Sequence, residues 1–86
     1  MPRVAEFYGI AVYFFYNDHE PAHFHVRYES QRALVSIRPL RVLRGTLPGR
    51  AWTLVREWAA PHEQELQANW QRARACEPLQ PIAPLE

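Results

Sequence analysis

Three of the four histidines fall within seven residues, His19, His23 and His25, with Asp18 beside them. Imidazoles and a carboxylate gathered so closely support three kinds of chemistry. The first is metal binding. Side chains two residues apart on a strand share a face at about 6.5–7 Å, so an extended segment brings His23 and His25 together, and a short loop folds His19 back toward them. Three imidazoles with an open fourth position suit zinc, whose catalytic sites hold three protein ligands and a water. His19, His23 and His25, with Asp18 as a further oxygen donor, are the candidate metal ligands. Against zinc, structural sites usually draw on cysteine pairs, and Cys76 is the one cysteine of the chain. The second chemistry needs no metal. His23 and His25 act as general base and general acid on a phosphodiester while Arg27 or Arg32 holds the phosphate, because a pKa of about 6.5 supplies both forms of the ring near neutrality. Two-histidine phosphodiesterases of the familiar kind carry two separate His-x-Ser/Thr motifs, whereas here one His-x-His stands without them. The third reading is structural. Asp18 and His19 hold a turn through side-chain hydrogen bonds, and His23 and His25 pair across strands as neutral rings donating to carbonyls. All three readings stay open on the sequence.

The arginines form a second reservoir of chemistry. The net charge of +1 is distributed unevenly. From Met1 to Val26, Arg3 stands against Glu6, Asp18 and Glu20; from Arg27 to Arg56, seven arginines stand against Glu29; the remainder sets Arg72 and Arg74 against five glutamates. A basic middle lies between acidic ends, and every basic residue is arginine, the better fork for phosphate or carboxylate. Arg27, Arg32, Arg38, Arg41 and Arg44 lie on or between neighbouring strands, so a meander gathers several of them into one binding patch. An acidic protein fits that patch better than a nucleic acid, since no aromatic residue recurs between these arginines to stack bases.

The elements that position these groups follow from periodicity. Ile10–Tyr16 is rich in β-branched and aromatic residues and reads as a strand covered on both faces. Asn17 to Pro21 is turn chemistry. Phe24, Val26 and Tyr28 then alternate with His23, His25 and Arg27, a strand with one apolar and one cationic face. Ser30-Gln31 turns the chain into a third strand, Ala33, Val35 and Ile37 alternating with Leu34, Ser36 and Arg38, which closes at Pro39. A short fourth strand runs through Val42-Leu43 to Gly45. Pro48 suits a helix N1 position. Behind it, Ala51, Val55, Trp58, His62, Leu66, Trp70 and Ala73 form the stripe of an amphipathic helix. Trp58 and Trp70 are core residues and His62 a packed or capping one, while Trp52 sits off the stripe. Pro61 kinks or breaks the helix near Ala59-Ala60, with a bend expected because the stripe keeps its phase. The last ten residues carry three prolines and form an extended arm, with Leu79, Ile82 and Leu85 free to pack. The expected fold is therefore α+β: an antiparallel meander of three or four strands within residues 8–45, one bent (or two consecutive) helix over 48–75, and an extended tail over 77–86.

Length and composition exclude much else. Eighty-six residues make one domain, and 48% hydrophobic with 22% charged residues is a folding composition. The longest apolar run, Ile10–Tyr16, is far short of the roughly 18–20 residues that span a bilayer, and no leader opens the chain. With one cysteine and no membrane segment, the cytoplasm is the expected compartment. A core this small buries about 60–65% of the unfolded surface, so a homo-oligomer or a complex is expected to hide more.

Asn17-Asp18-His19-Glu20-Pro21-Ala22-His23-Phe24-His25-Val26 resembles a bacterial family catalogued as a domain of unknown function, number four-one-six-zero. Phe7-Tyr8-Gly9-Ile10, Glu57-Trp58, Asn69-Trp70, Pro78-Leu79 and Ile82-Ala83-Pro84-Leu85 agree with it, so the resemblance covers essentially the whole chain. It implies a small cytoplasmic protein, encoded beside another small protein that would be its partner, in a toxin–antitoxin-like pair. No mechanism comes with it, and Pro61 departs from the family, where that position reads as ordinary helix. The combined expectation is a partner-binding protein, half of such a pair. The alternative is a histidine-dependent or metal-assisted ribonuclease using His19, His23 and His25.

Overall fold

Five strands precede the helical segment in the computed structural model, which describes residues 2–86. Strands β1 (Arg3–Phe7), β2 (Ile10–Tyr13), β3 (His23–Tyr28), β4 (Gln31–Ser36) and β5 (Arg41–Gly45) make one antiparallel meander in chain order. Helix α1 (Gly49–Ala59), a 3-10 turn at Ala60–His62 and helix α2 (Glu63–Arg74) follow. The α+β expectation holds, with one strand more than foreseen. The sequence hides β1 because a register shift between Arg3 and Ala5 puts Val4 and Ala5 both inside, which spoils the alternation.

Tight turns set the meander. Tyr8 and Gly9 join β1 to β2 with φ of 51° and 78°, the doubly left-handed pair that matches the twist of a two-residue hairpin. Glu29-Ser30 joins β3 to β4, one residue earlier than the expected turn, with Glu29 at φ 55°. Strand β2 ends at Tyr13 rather than Tyr16. Phe14 stays buried and its N–H donates to the Pro2 carbonyl, but Phe15 and Tyr16 are 41% and 46% exposed, so the second face is covered only as far as Tyr13.

The inner face of the sheet carries Ile10, Val12, Phe24, Val26, Ala33 and Val35, all buried against Ala51, Val55, Trp58, Leu66, Trp70 and Ala73 of the helices. Full burial of each large aliphatic or phenyl group contributes about 1.5–3 kcal/mol. The helical stripe is therefore the core stripe read from the sequence. Pro48 is the residue before the helix, with extended ψ of 150°, and not its first turn. Pro61 tightens the helix into one 3-10 turn; Ala60 keeps right-handed helical angles, His62 departs to φ −109° and ψ 20°, and Glu63 resumes them, so the helical segment continues past the proline. His62 is half-buried against Trp58 and bonds Glu65, and Trp52 is half-buried against the core. Helix α2 closes in a Schellman arrangement: the Cys76 N–H donates to the Ala73 carbonyl, the Glu77 N–H to the Arg72 carbonyl, and Cys76 takes φ 57° where glycine is usual.

The tail packs as an extended arm. Asn69 grips it twice, its Nδ2 donating to the Gln80 carbonyl (2.8 Å) and its Oδ1 accepting the Gln80 N–H (2.9 Å). Trp58 Nε1 donates to the Ala83 carbonyl, and the Ile82 N–H donates to the Val4 carbonyl, both at 2.8 Å. The arm thus lies along the open side of β1. No helix among the described residues is long and apolar enough to cross a membrane.

Candidate functional site

The face of the sheet turned away from the helices carries the chemistry. Cross-strand register sets Tyr13, His25, Leu34 and Arg44 in one row, Ala11, Arg27 and Arg32 in a second, and His23, Ser36 and Arg41 in a third. Period-two spacing does place His23 and His25 together, with ring centroids 5.1 Å apart. They do not pair across strands. Both rings meet Asp18, whose Oδ2 lies 2.9 Å from His23 Nε2 and 3.1 Å from His25 Nε2.

Each member of the cluster is held from outside it. His23 is 4% exposed, its Nδ1 lies 2.7 Å from the Pro21 carbonyl, and its ring stands 5.0 Å from that of Trp70. His25 stacks on Tyr13 at 5.3 Å and takes the edge of Phe15 at 4.4 Å. Asp18 Oδ1 accepts the backbone N–H of His19 at 2.8 Å. The loop carrying Asp18 is fastened to the end of α2, where the Asn17 N–H donates to the Ala73 carbonyl and Arg74 meets Glu20 at 2.9 Å. Among the described residues every buried side-chain nitrogen and oxygen has a hydrogen-bond partner.

The ligand set differs from the three-histidine expectation. Asp18, His23 and His25 each bring one ligand atom within 4.8 Å of the others, whereas His19 is exposed and contributes only its backbone to the carboxylate. Burial raises the Asp18 pKa, but hydrogen bonds from His25 and the His19 N–H, with the charge of His23, outweigh it and leave the carboxyl below its usual value. Burial pushes His25 below the ordinary histidine value, His23 adds to that, and the bond to Asp18 offsets part of it.

The arginines divide. Arg27, Arg32, Arg41 and Arg44 stand at outer-face positions, and Arg44 borders two shallow grooves on either side of the cluster, one shared with His25 and Arg32, the other with Asp18, His19 and His23. Arg38 leaves the patch, because it lies two residues beyond the end of β4 and meets Glu63 at 3.7 Å. The sheet also supplies what the linear sequence lacks. Tyr13 and Phe15 line the groove of His25, Arg32 and Arg44, so aromatic rings and guanidinium groups do lie side by side on this face.

The fold and site define a small α+β protein whose outer sheet face combines a His-His-Asp cluster with arginines. The chain belongs to the family described as Domain of unknown function (DUF4160), whose profile matches residues 9–71. No curated protein and no solved structure matches it.

Proposed function

We propose that this protein is a partner-binding module in which β5 takes an extended acidic segment of a second, co-encoded small protein as a sixth strand. The pair is of the toxin–antitoxin-like kind, acting in the cytoplasm. The observation that carries this reading is the unequal treatment of the two sheet edges. The tail lies along β1, while among the described residues no strand pairs with the outer side of β5 and all five of its residues are exposed, Val42 and Leu43 at 36% and 38%. An open edge offers main-chain donors and acceptors for strand addition, and alternate side chains give specificity. Arg41 and Arg44 choose among partners. Two copies pairing edge to edge would bring four arginines together, whereas carboxylates on an incoming strand would neutralise them. That favours an acidic partner over a homo-oligomer.

A second reading has its own support. The groove that places His25 beside Arg32, Arg44 and Phe15 has the parts to hold a phosphodiester and stack a base, which keeps the histidine-dependent or metal-assisted ribonuclease in play. Binding of labelled RNA, DNA and the co-encoded protein at two salt concentrations separates the two. The protein partner is expected to bind, more weakly in high salt, and to lose affinity in Arg41→Ala/Arg44→Ala. Submicromolar RNA binding lost in that variant, with no binding of the protein, would put the ribonuclease first; each neutralised phosphate would add about 0.7–0.9 to the salt slope.

A further inference from the structure

We infer that Asp18, His23 and His25 form a binding site for a divalent transition metal of the zinc class, with Asp18 Oδ2 and the two Nε2 atoms as ligands. The inference is independent of strand addition at β5. A carbonyl oxygen only accepts, so the 2.7 Å contact to Pro21 commits the hydrogen of a neutral ring to Nδ1. Nε2 is then a lone pair, and it faces a carboxylate oxygen at 2.9 Å. Two lone pairs do not meet at that distance without a positive charge between them. A second proton on the ring would supply one and pair the ring with Asp18. A metal ion supplies it with His23 neutral, and draws in His25, whose Nε2 faces the same oxygen at 3.1 Å.

A tetrahedral ion with ligands at 2.0–2.1 Å separates neighbouring ligand atoms by about 3.3 Å. The two contacts to Asp18 open by a few tenths of an ångström to reach it, and the three ligand atoms, which lie within 4.8 Å of one another, draw in around the ion. The outer shell is already in place. Ligating imidazoles usually donate their other N–H to a carbonyl or carboxylate, and ligating carboxylates are themselves hydrogen-bonded; His23 does the first through Pro21, and Asp18 does the second through the His19 N–H. Two nitrogens and one oxygen, with no thiolate, select zinc or a neighbouring divalent ion over copper(I) or an iron–sulfur cluster. Three protein ligands leave a further position, and the groove bordered by Asp18, His23, Leu43 and Arg44 gives it access to solvent.

The test uses the full chain without a histidine tag, with zinc(II) and cobalt(II) as probes. Wild type is expected to bind one ion per chain, to melt at a higher temperature with zinc, and to give a tetrahedral cobalt spectrum. Nitrogen-15 spectra are expected to show zinc moving the Nε2 resonances of His23 and His25 while His23 Nδ1 stays protonated. Because His23 is buried and its truncation disturbs the packing against Trp70, the deciding variant is Asp18→Asn, which keeps the shape and one acceptor and should weaken binding at least about ten-fold. His19→Ala should bind as wild type. Folded wild type that takes up neither ion, Asp18→Asn that binds like wild type, or loss of the ion in His19→Ala would each overturn the assignment.

Discussion

His25 sits where a proton is unwelcome and Asp18 where a negative charge is held, and together they set how the metal-free protein responds to acid. The folded pKa of His25 lies below 6.5, chiefly through burial, so between that pKa and 6.5 the unfolded chain binds more protons than the folded one. Stability therefore falls as the pH drops through 6.5 and levels off below the folded value. Asp18 acts in the same direction lower down: its folded pKa lies below 3.8, so its contribution is present above 3.8 and is lost as the pH falls through the folded value. Urea unfolding of the metal-free protein from neutral pH to pH 3 should show the midpoint falling in both windows. A midpoint constant from pH 7 to 5.5 would contradict the burial of a neutral His25. The neighbourhood of His23 and His25 was legible in the sequence, since period-two spacing alone puts them on one face. The third member was not. Whether Asp18 or His19 turns inward depends on the course of the loop, and that is fixed by Ala73 and Arg74, more than fifty residues away in the chain.

Alternation makes β3 legible in the sequence and Val42-Leu43 with Gly45 marks β5, whereas β1 carries no such signal. In β3 the apolar Phe24, Val26 and Tyr28 alternate with His23, His25 and Arg27, β4 turns Ala33 and Val35 inward despite a register shift between Leu34 and Val35, and the helical stripe holds its phase through Pro61 because a 3-10 turn accommodates the ring. β1 is hidden because its register shift breaks the alternation, and β2 reads too long in the sequence because Phe15 and Tyr16 continue the aromatic run into the loop. Glycines show how local geometry decides an outcome that composition does not. Gly45 ends β5 at φ 85°, and an added Cβ would meet the Arg32 carbonyl oxygen at 2.2 Å. Gly49 opens α1 with nothing within 4 Å of an added Cβ. Gly45→Ala should therefore destabilise the protein by about 1–3 kcal/mol, and Gly49→Ala should stabilise it by up to about 0.5–1 kcal/mol. Denaturant midpoints check both. Equal effects at the two positions would mean that neither the left-handed angle nor the close carbonyl governs Gly45.

At the scale of the whole molecule, the charge pattern acquires a direction. Apart from Glu6 on β1, the acidic residues lie in the loops, helices and tail, where Glu63 meets Arg38 and Glu20 fastens Arg74, while Arg41 and Arg44 remain on the strand that ends the sheet. The basic middle of the sequence announced such a patch, but its composition could be known only from the register, which removes Arg38 and adds Tyr13 and Phe15. The tail matters as much. By lying against β1 it leaves β5 as the edge open to addition, and it does so through main-chain contacts to Asn69 and Trp58 that no spacing rule foretells. The central claim is strand addition at β5, and amide hydrogen exchange of the full chain with and without its co-encoded partner tests it most directly. The expected result is slowed exchange in Arg41–Gly45 on binding, with β1 and its covering tail unchanged. Protection that appears on β1 or the helices while β5 continues to exchange as in the free protein would contradict it.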